Sequence, residues 1–189
     1  MKLKETPWVL IVIIALTIVT RLIPHYPNFT ALGAAALFGG AYFRKQTAIA
    51  IPLLAMFFSD LILNNLLYRV QLPGNDTGFV LFEPAVLWSY AALIIIALLG
   101  YRFIRTRKVL PVIGASLTAS LLFFLISNFA VWLNSGLYPK TTAGLMTAYG
   151  AGLPFFGNTV AGDLFFVAVF FGGLEAVRRY APGMVPQKA

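Results

Sequence analysis

The chain has 189 residues, of which 60% are hydrophobic, and it carries a net charge of +8, no cysteine and one histidine. A water-soluble domain of this length cannot bury so much apolar surface, so the composition indicates a protein that has lipid as its solvent. The basic residues form short clusters at the ends of apolar runs, which excludes an extended nucleic-acid-binding face, and the absence of cysteine excludes disulfides and thiol chemistry.

Six apolar stretches predict an all-α integral membrane protein with a single transmembrane domain over residues 1–189. A helix needs about 20 apolar residues to cross the hydrocarbon core of a bilayer, which is about 30 Å thick. The predicted spans are approximately Trp8–Ile23, Phe29–Phe43, Ala48–Leu67, Pro84–Tyr101, Val109–Leu133 and Leu153–Val177. The second span is the shortest, because its 15 residues reach only about 22 Å at about 1.5 Å per residue.

The distribution of positive charge favours six crossings with both termini in the cytoplasm. Eleven of the 14 Lys and Arg residues then lie on the cytoplasmic side, as the positive-inside rule requires. The cytoplasmic residues are Lys2, Lys4, Arg44, Lys45, Arg102, Arg105, Arg107, Lys108, Arg178, Arg179 and Lys188, and the outer ones are Arg21, Arg69 and Lys140. If the second stretch did not cross, the basic cluster at 102–108 would move to the outer side and break the rule.

The second span is rich in small residues, and Ala31, Ala35 and Gly39 recur on one face at four-residue spacing. Such a stripe lets two helix backbones approach closely in lipid. The stripe therefore predicts either close packing within the bundle or a docking face for a partner protein.

Polar residues inside the spans predict a ligand-binding cavity that is open to the outside. Ionisable residues are costly in a membrane and usually face a cavity or a partner, and two of them, Asp60 and Asp163, lie within spans. In the predicted topology the buried polar residues share similar outer depths, whereas the cytoplasmic halves of the spans have almost none. The predicted ligand-binding residues are Arg21, His25, Asn28, Asp60, Asn64, Asn128, Trp132, Tyr138, Lys140, Asn158, Thr159 and Asp163.

Each of these residues also has a structural alternative. Asp60 or Asp163 could form an ion pair with Arg21, and the asparagines could donate hydrogen bonds between helices. His25 could be a solvated loop residue, and Trp132 could be an interfacial residue of the aromatic belt.

Two outward segments, Tyr68–Glu83 and Asn134–Gly152, are predicted to be long loops. The second contains four glycines and a single charge, Lys140, which favours a lid that closes over a bound ligand. A short helix could form at Thr141–Tyr149 and lie over the cavity, and a plain connector is the alternative.

Three stretches are distinctive: RLIPHYPNFTALGAAALFGGAYF at 21–43, SDLILN at 59–64, and SNFAVWL at 127–133 continuing as YPKTTAGLMTAYGAGLPFFGNTVAGDLFF at 138–166. With the six predicted helices, they resemble an uncharacterised family of small bacterial membrane proteins that is related to the S components of energy-coupling factor (ECF) transporters. S components dock their scaffold through an alanine-x-x-x-alanine pattern on the first helix. The first span here lacks that pattern, and the small-residue stripe lies on the second span instead.

This resemblance implies a membrane-embedded subunit that binds a vitamin or another small micronutrient for uptake across the bacterial cytoplasmic (inner) membrane. Its implied partners are an ECF-type scaffold subunit and ATPases, and no cofactor is predicted. A non-transporting scaffold or morphogenesis protein of similar fold is the first alternative. An intramembrane enzyme is the second, although the sequence contains no HExxH motif, nucleophile elbow or P-loop.

Overall fold

The computed structural model describes residues 7–23, 26–67, 78–83, 86–104 and 108–184, and the chain is all-helical within these ranges. The six main helices are α1 (Pro7–Leu22), α2 (Leu32–Tyr42), α3 (Lys45–Ile62), α4 (Leu87–Phe103), α5 (Val109–Asn134) and α6 (Thr142–Val167). Helix α3 continues through a π-helical turn, Leu63–Leu67, and α6 continues through another, Ala168–Gly172, into α7 (Gly173–Tyr180). The prediction of an all-α protein with six helices is confirmed.

Three helical runs in the described part are long and apolar enough to cross a membrane. They are Lys45–Leu67, Val109–Asn134 and Thr142–Tyr180, whereas Val9–Leu22, Leu32–Tyr42 and Leu87–Phe103 are apolar but shorter. The surface of the long helices is also apolar: Leu117, Leu121 and Leu125 form a stripe along α5 with exposed fractions of 43%, 46% and 41%. A continuous apolar stripe of this kind is typical of a surface that meets lipid or another protein.

Helix α2 forms the centre of the bundle, and nearly all of its residues are buried. It packs most extensively against α4, then against α3, and it also contacts α6 and α5. Ala31 and Ala35 have no exposed surface, and Gly39 is buried where α2 meets Ala48 of α3. A partner protein cannot reach these three residues, so the docking prediction for Ala31, Ala35 and Gly39 is corrected to packing within the bundle.

Two glycines set the distance between α2 and α4. A Cβ atom on Gly100 would lie 3.0 Å from the Cα atom of Leu37, and one on Gly40 would lie 2.9 Å from the carbonyl carbon of Gly100. The obstacles are backbone atoms, which cannot move aside as a flexible side chain can. The two helices therefore approach this closely only because both positions lack a side chain.

The segment Asn134–Gly152 is not the long loop that the sequence predicts. The link between α5 and α6 covers only residues 135–141, and α6 begins at Thr142 rather than at Leu153. The Thr141 hydroxyl caps α6 by accepting a hydrogen bond from the Gly144 amide at 3.2 Å. Helix α6 then continues through Pro154, which was predicted to mark the start of the span.

Candidate functional site

A cavity of about 670 Å³ opens between the helices, and we call it the first lobe. Its wall comes from the end of α1, the segment between α1 and α2, the second half of α3 and the first half of α4. Helices α5 and α6 contribute Phe123, Thr159 and Asp163. The first lobe is therefore surrounded by all six main helices.

A second cavity of about 470 Å³, the second lobe, adjoins the first. Both lobes are lined by Pro27, Asn28, Ser89, Phe123 and Thr159, so the two lobes lie side by side and share these residues as a common wall. The second lobe extends between α5 and α6, where it is lined by residues that include Asn128, Tyr138 and Gly152.

The cavity extends to the middle of the bundle. One polar contact at its wall joins Asp163 of α6, which lines the first lobe, to Ser120 of α5. In α5, which runs from Val109 to Asn134, Ser120 lies about 16 Å from one end and about 21 Å from the other at about 1.5 Å per residue. A ligand that contacted Asp163 would therefore lie near half the length of this helix.

Arg21 connects α1 to α3 at the wall of the first lobe. Its guanidinium forms an ion pair with the Asp60 carboxylate at 2.7 Å and donates hydrogen bonds to the Met56 carbonyl oxygen at 3.2 Å and to the Ser59 hydroxyl. The side chains of Arg21 and Asp60 are only 16% and 17% exposed. Arg21 lines the first lobe, whereas Asp60 does not line it.

Asp163 is the buried acid that lines the first lobe, and it is only 4% exposed. Its Oδ2 atom accepts a hydrogen bond from the Ser120 hydroxyl at 2.7 Å. Gly33 of α2 leaves space for this carboxyl group, because a Cβ atom at position 33 would overlap the Asp163 side chain. The position of the carboxyl group therefore depends on α2, α5 and α6 together.

Residues 26–31, which lie between α1 and α2, are held in place by several contacts and form part of the cavity wall. Asn28 has a φ of 66°, in the left-handed region, where asparagine is among the better tolerated residues. The Thr20 hydroxyl accepts a hydrogen bond from the Ala31 amide at 3.2 Å, and the Phe29 ring packs against Phe166 with 5.6 Å between ring centroids. These contacts place Asn28 at both lobes.

The cavity brings together about half of the predicted ligand-binding residues. Those that line one or both lobes are Arg21, Asn28, Asn128, Tyr138, Thr159 and Asp163. Those that do not line them are Asp60, Asn64, Trp132, Lys140 and Asn158. His25 and residues 68–77 of the first predicted loop lie outside the described residues.

Lys140 contacts the end of α5 instead of the cavity. Its ammonium group donates hydrogen bonds to the carbonyl oxygens of Trp132 and of Leu133, the latter at 2.8 Å, and it lies 5.4 Å from the centroid of the Trp132 ring. The last carbonyl groups of a helix have no intrahelical partners, and a cation there also meets the negative end of the helix dipole. Lys140 therefore caps α5, and the short link on which it lies is not a long mobile lid.

Several polar residues of this region were not predicted from the sequence. Ser120 forms a hydrogen bond with Asp163, and Ser59 accepts one from Arg21, the ion-pair partner of Asp60. Ser89 lines both lobes. Asn65 also has a role that was not predicted, because its side-chain amide exchanges two hydrogen bonds of 2.8 Å with the backbone of Val80. Serine is difficult to detect as a site residue because its hydroxyl often bonds the preceding turn of its own helix, as those of Ser59 and Ser120 also do here.

At the end of the bundle opposite the two lobes, the lining residues are mainly apolar. A hollow of about 520 Å³ between α5 and the run from α6 to α7 is lined mainly by apolar residues such as Val112, Val167 and Phe171. Its lining contains one acidic residue, Glu175. Polar groups that could fix the orientation of a ligand are thus concentrated in the two lobes.

The residues described by the structure contain no cluster of three or more His, Asp or Glu side chains that could hold a metal ion. No curated protein and no solved structure matches the chain. A family model matches residues 1–184, which is nearly the whole chain. The protein therefore belongs to the family of unknown function DUF6580.

Proposed function

We propose that the protein is a multi-pass membrane protein of the bacterial cytoplasmic membrane that captures a small solute from outside in its two-lobed cavity. It would act as the substrate-binding subunit of an uptake system for a vitamin or another micronutrient. The observation that carries this proposal is the pair of adjoining lobes, which is enclosed by six apolar helices and has a few polar groups among its lining residues.

The outer surface of the bundle supports the membrane location. Large apolar side chains are exposed on every main helix that flanks α2, and examples are Ile11 at 64%, Leu54 at 42% and Phe165 at 54%. Exposed apolar surface around a whole bundle would cause aggregation in water, whereas lipid solvates it. The three shorter helices leave some non-helical backbone at membrane depth. Such backbone is tolerated within a membrane where it lines a cavity.

The positions of the basic residues support a cavity that opens to the outside. The end of α2 and the last turn of α7 lie at the same end of the bundle, where the Arg178 guanidinium lies 5.3 Å from the centroid of the Tyr42 ring. Arg44, Lys45 and Arg179 are close to these residues in the chain. The positive-inside rule places this end in the cytoplasm, and the lobes, which lie toward the opposite ends of the helices, then open outward.

Cysteine labelling tests this topology cleanly, because the chain has no native cysteine. We expect a cysteine in place of the exposed Thr142 to react with a membrane-impermeant maleimide in intact cells. A cysteine in place of the exposed Gln46 should react only after the membrane is permeabilised. Labelling of Gln46→Cys in intact cells, at the rate seen for Thr142→Cys, would contradict the proposed orientation.

The size and lining of the cavity support the capture of an organic solute. Sites for small molecules usually have volumes of about 300–1,000 Å³, a mostly apolar lining and a small number of polar groups that fix the orientation of the ligand. The first lobe has a volume of about 670 Å³ and combines apolar residues such as Leu93 and Phe123 with the polar groups of Arg21 and Asp163.

A blocking substitution tests solute capture directly. Ser89 lines both lobes, so Ser89→Trp should fill the space between them and reduce the amount of co-purifying small molecule at least about tenfold. The measurement is mass spectrometry of the molecules extracted from equal amounts of purified, folded protein. Ser135→Trp, which adds the same side chain at an exposed position, is the matched control. Extracts from wild type and Ser89→Trp that contain the same molecules in the same amounts would contradict capture in this cavity.

The resemblance to S components also suggests the partner. A scaffold subunit and two ATPases would use ATP to drive release of the solute into the cytoplasm. Affinity purification of the tagged chain from its native membranes in mild detergent tests this part of the proposal. Recovery of the chain with a bound solute but without an ATPase would support a binding protein that works outside an energy-coupling complex.

A further inference from the structure

The two buried acids differ in how their charges are compensated. Asp60 is paired with Arg21 at 2.7 Å. Asp163 has one hydrogen-bond partner in the described part of the chain, the Ser120 hydroxyl, and no Lys or Arg described there forms an ion pair with it. The first lobe is therefore lined by Arg21, whose charge is paired with that of Asp60, and by the Asp163 carboxyl group, which has no cation partner among the described residues.

The burial of Asp163 raises the free energy of its charged form when no cation is nearby. Asp163 is 4% exposed and lies at the middle of a bundle that we place in a membrane, where water cannot solvate its charge as bulk solvent would. A cation that reached Asp163 through the cavity would stabilise the charged form of this carboxyl group. The cavity provides access, because Asp163 and the adjacent Gly33 both line the first lobe.

The partner that fits is an organic cation rather than a metal ion. Metal ions such as Ca²⁺ and Mg²⁺ need about six or more oxygen ligands, and the residues near Asp163 supply few of them. Among the described residues no cluster of acidic and histidine side chains could hold a metal. Leu32, Met56 and Ile96 line the same lobe and suit the apolar body of an organic molecule.

We propose that the solute carries a protonated nitrogen that forms a charge-assisted hydrogen bond with the Asp163 carboxylate, while its apolar body fills the first lobe. The inference rests on the proposed function, since it names the chemical class of the captured solute. Ser120 positions the carboxyl group, and the Arg21 guanidinium, which lines the same lobe, donates to an acceptor on the same solute.

Three probes of similar size and different charge test this inference. They are phenethylammonium, which is a cation at pH 7, the neutral 2-phenylethanol and the anion phenylacetate. Binding is measured by isothermal titration of the full chain in nanodiscs of phosphatidylglycerol, a lipid without nitrogen. We expect phenethylammonium to bind at least about tenfold more tightly than 2-phenylethanol, because a charge-assisted hydrogen bond is roughly twice as strong as a neutral one.

The variant Asp163→Asn should remove this preference, because it retains the size of the side chain but loses the charge. Glu175→Gln is the matched control: it removes one negative charge from the same helical run at an exposed position and should leave the preference unchanged. Ser120→Ala provides a second variant, which should weaken binding of the cation less than Asp163→Asn does. Nanodiscs that contain phosphatidylethanolamine then reveal whether a lipid amine competes with the free solute for the same group.

The outcomes separate this inference from the proposed function. Equal affinities for the three probes, a preference for phenylacetate, or a cation preference that persists in Asp163→Asn would overturn the inference. If binding in those cases were still lost in Ser89→Trp, the cavity would remain a capture site for another class of solute. If no probe binds and no small molecule co-purifies, both the inference and the proposed function fail.

Discussion

Replacing Gly100 with leucine should almost abolish the folded protein. The new side chain would begin at a Cβ position 3.0 Å from the Cα atom of Leu37, so it would push α4 away from the central helix. Overpacking of a core costs about 1–3 kcal/mol where side chains can adjust, and here the obstacle is backbone, so we expect a loss above about 3 kcal/mol. The measurement is the yield of monodisperse protein in gel filtration, followed by thermal unfolding of the fraction that folds.

Gly114→Leu is the control for this prediction. Gly114 also lies within a helix, but a Cβ atom there would meet nothing within 4 Å. This variant should fold like the wild type, because leucine is a better helix former than glycine. Equal yields and equal unfolding temperatures for the two variants would show that α2 and α4 do not approach as closely as described.

Replacing Arg21 with methionine should also destabilise the protein strongly, and a second substitution should rescue it. The single change leaves Asp60 mostly buried without its cation, and loss of one partner of a buried ion pair costs about 3–5 kcal/mol. The double variant Arg21→Met/Asp60→Leu removes both charges and should recover most of that stability. Unfolding in detergent, followed by tryptophan fluorescence, measures both variants.

The same pair of variants separates a structural role from a binding role. If Arg21 and Asp60 only hold α1 against α3, the rescued double variant binds the solute as the wild type does. If Arg21 contacts the solute, the double variant folds but binds more weakly. Arg178→Met is the matched control, because its ion pair with Glu175 is longer, at 3.4 Å, and Glu175 is 60% exposed. Exposed pairs contribute at most about 1 kcal/mol, so a loss in Arg178→Met as large as that in Arg21→Met would contradict the argument from burial.

Apolar length alone was enough to predict α5, whose only proline, Pro111, lies in the first turn of the helix. The fifth span was predicted at Val109–Leu133, and α5 extends from Val109 to Asn134. The sequence predicted only a short helix at Thr141–Tyr149 near the start of α6. Its continuation into the span was not predicted, because glycines and a proline between positions 144 and 154 favour a loop by propensity. Tertiary contacts decide the outcome: the Tyr149 hydroxyl bonds the Leu125 carbonyl oxygen at 3.0 Å, and the backbone of Gly152 packs against the Asn128 side chain.

Part of the candidate site followed from depth along the helices, and part did not. The shared outer depth predicted that Arg21, Thr159 and Asp163 would meet, and all three line the first lobe. Depth could not show which acid pairs with Arg21, because that depends on the rotation of each helix about its axis. Nor could it show that Lys140 bonds the end of α5, since the length of the link at 135–141 was not known.

The central position of α2 has a consequence for how the protein is made. Its 11 residues extend about 16 Å at about 1.5 Å per residue, roughly half of a bilayer core of about 30 Å. Alanine and glycine side chains bury little apolar area, so this segment gains little free energy from lipid alone. It is therefore expected to enter the membrane together with neighbouring helices. Helix α2 packs most extensively against α4, which follows it in the chain. The packing at the centre of the bundle is therefore completed only after the ribosome has synthesised α4.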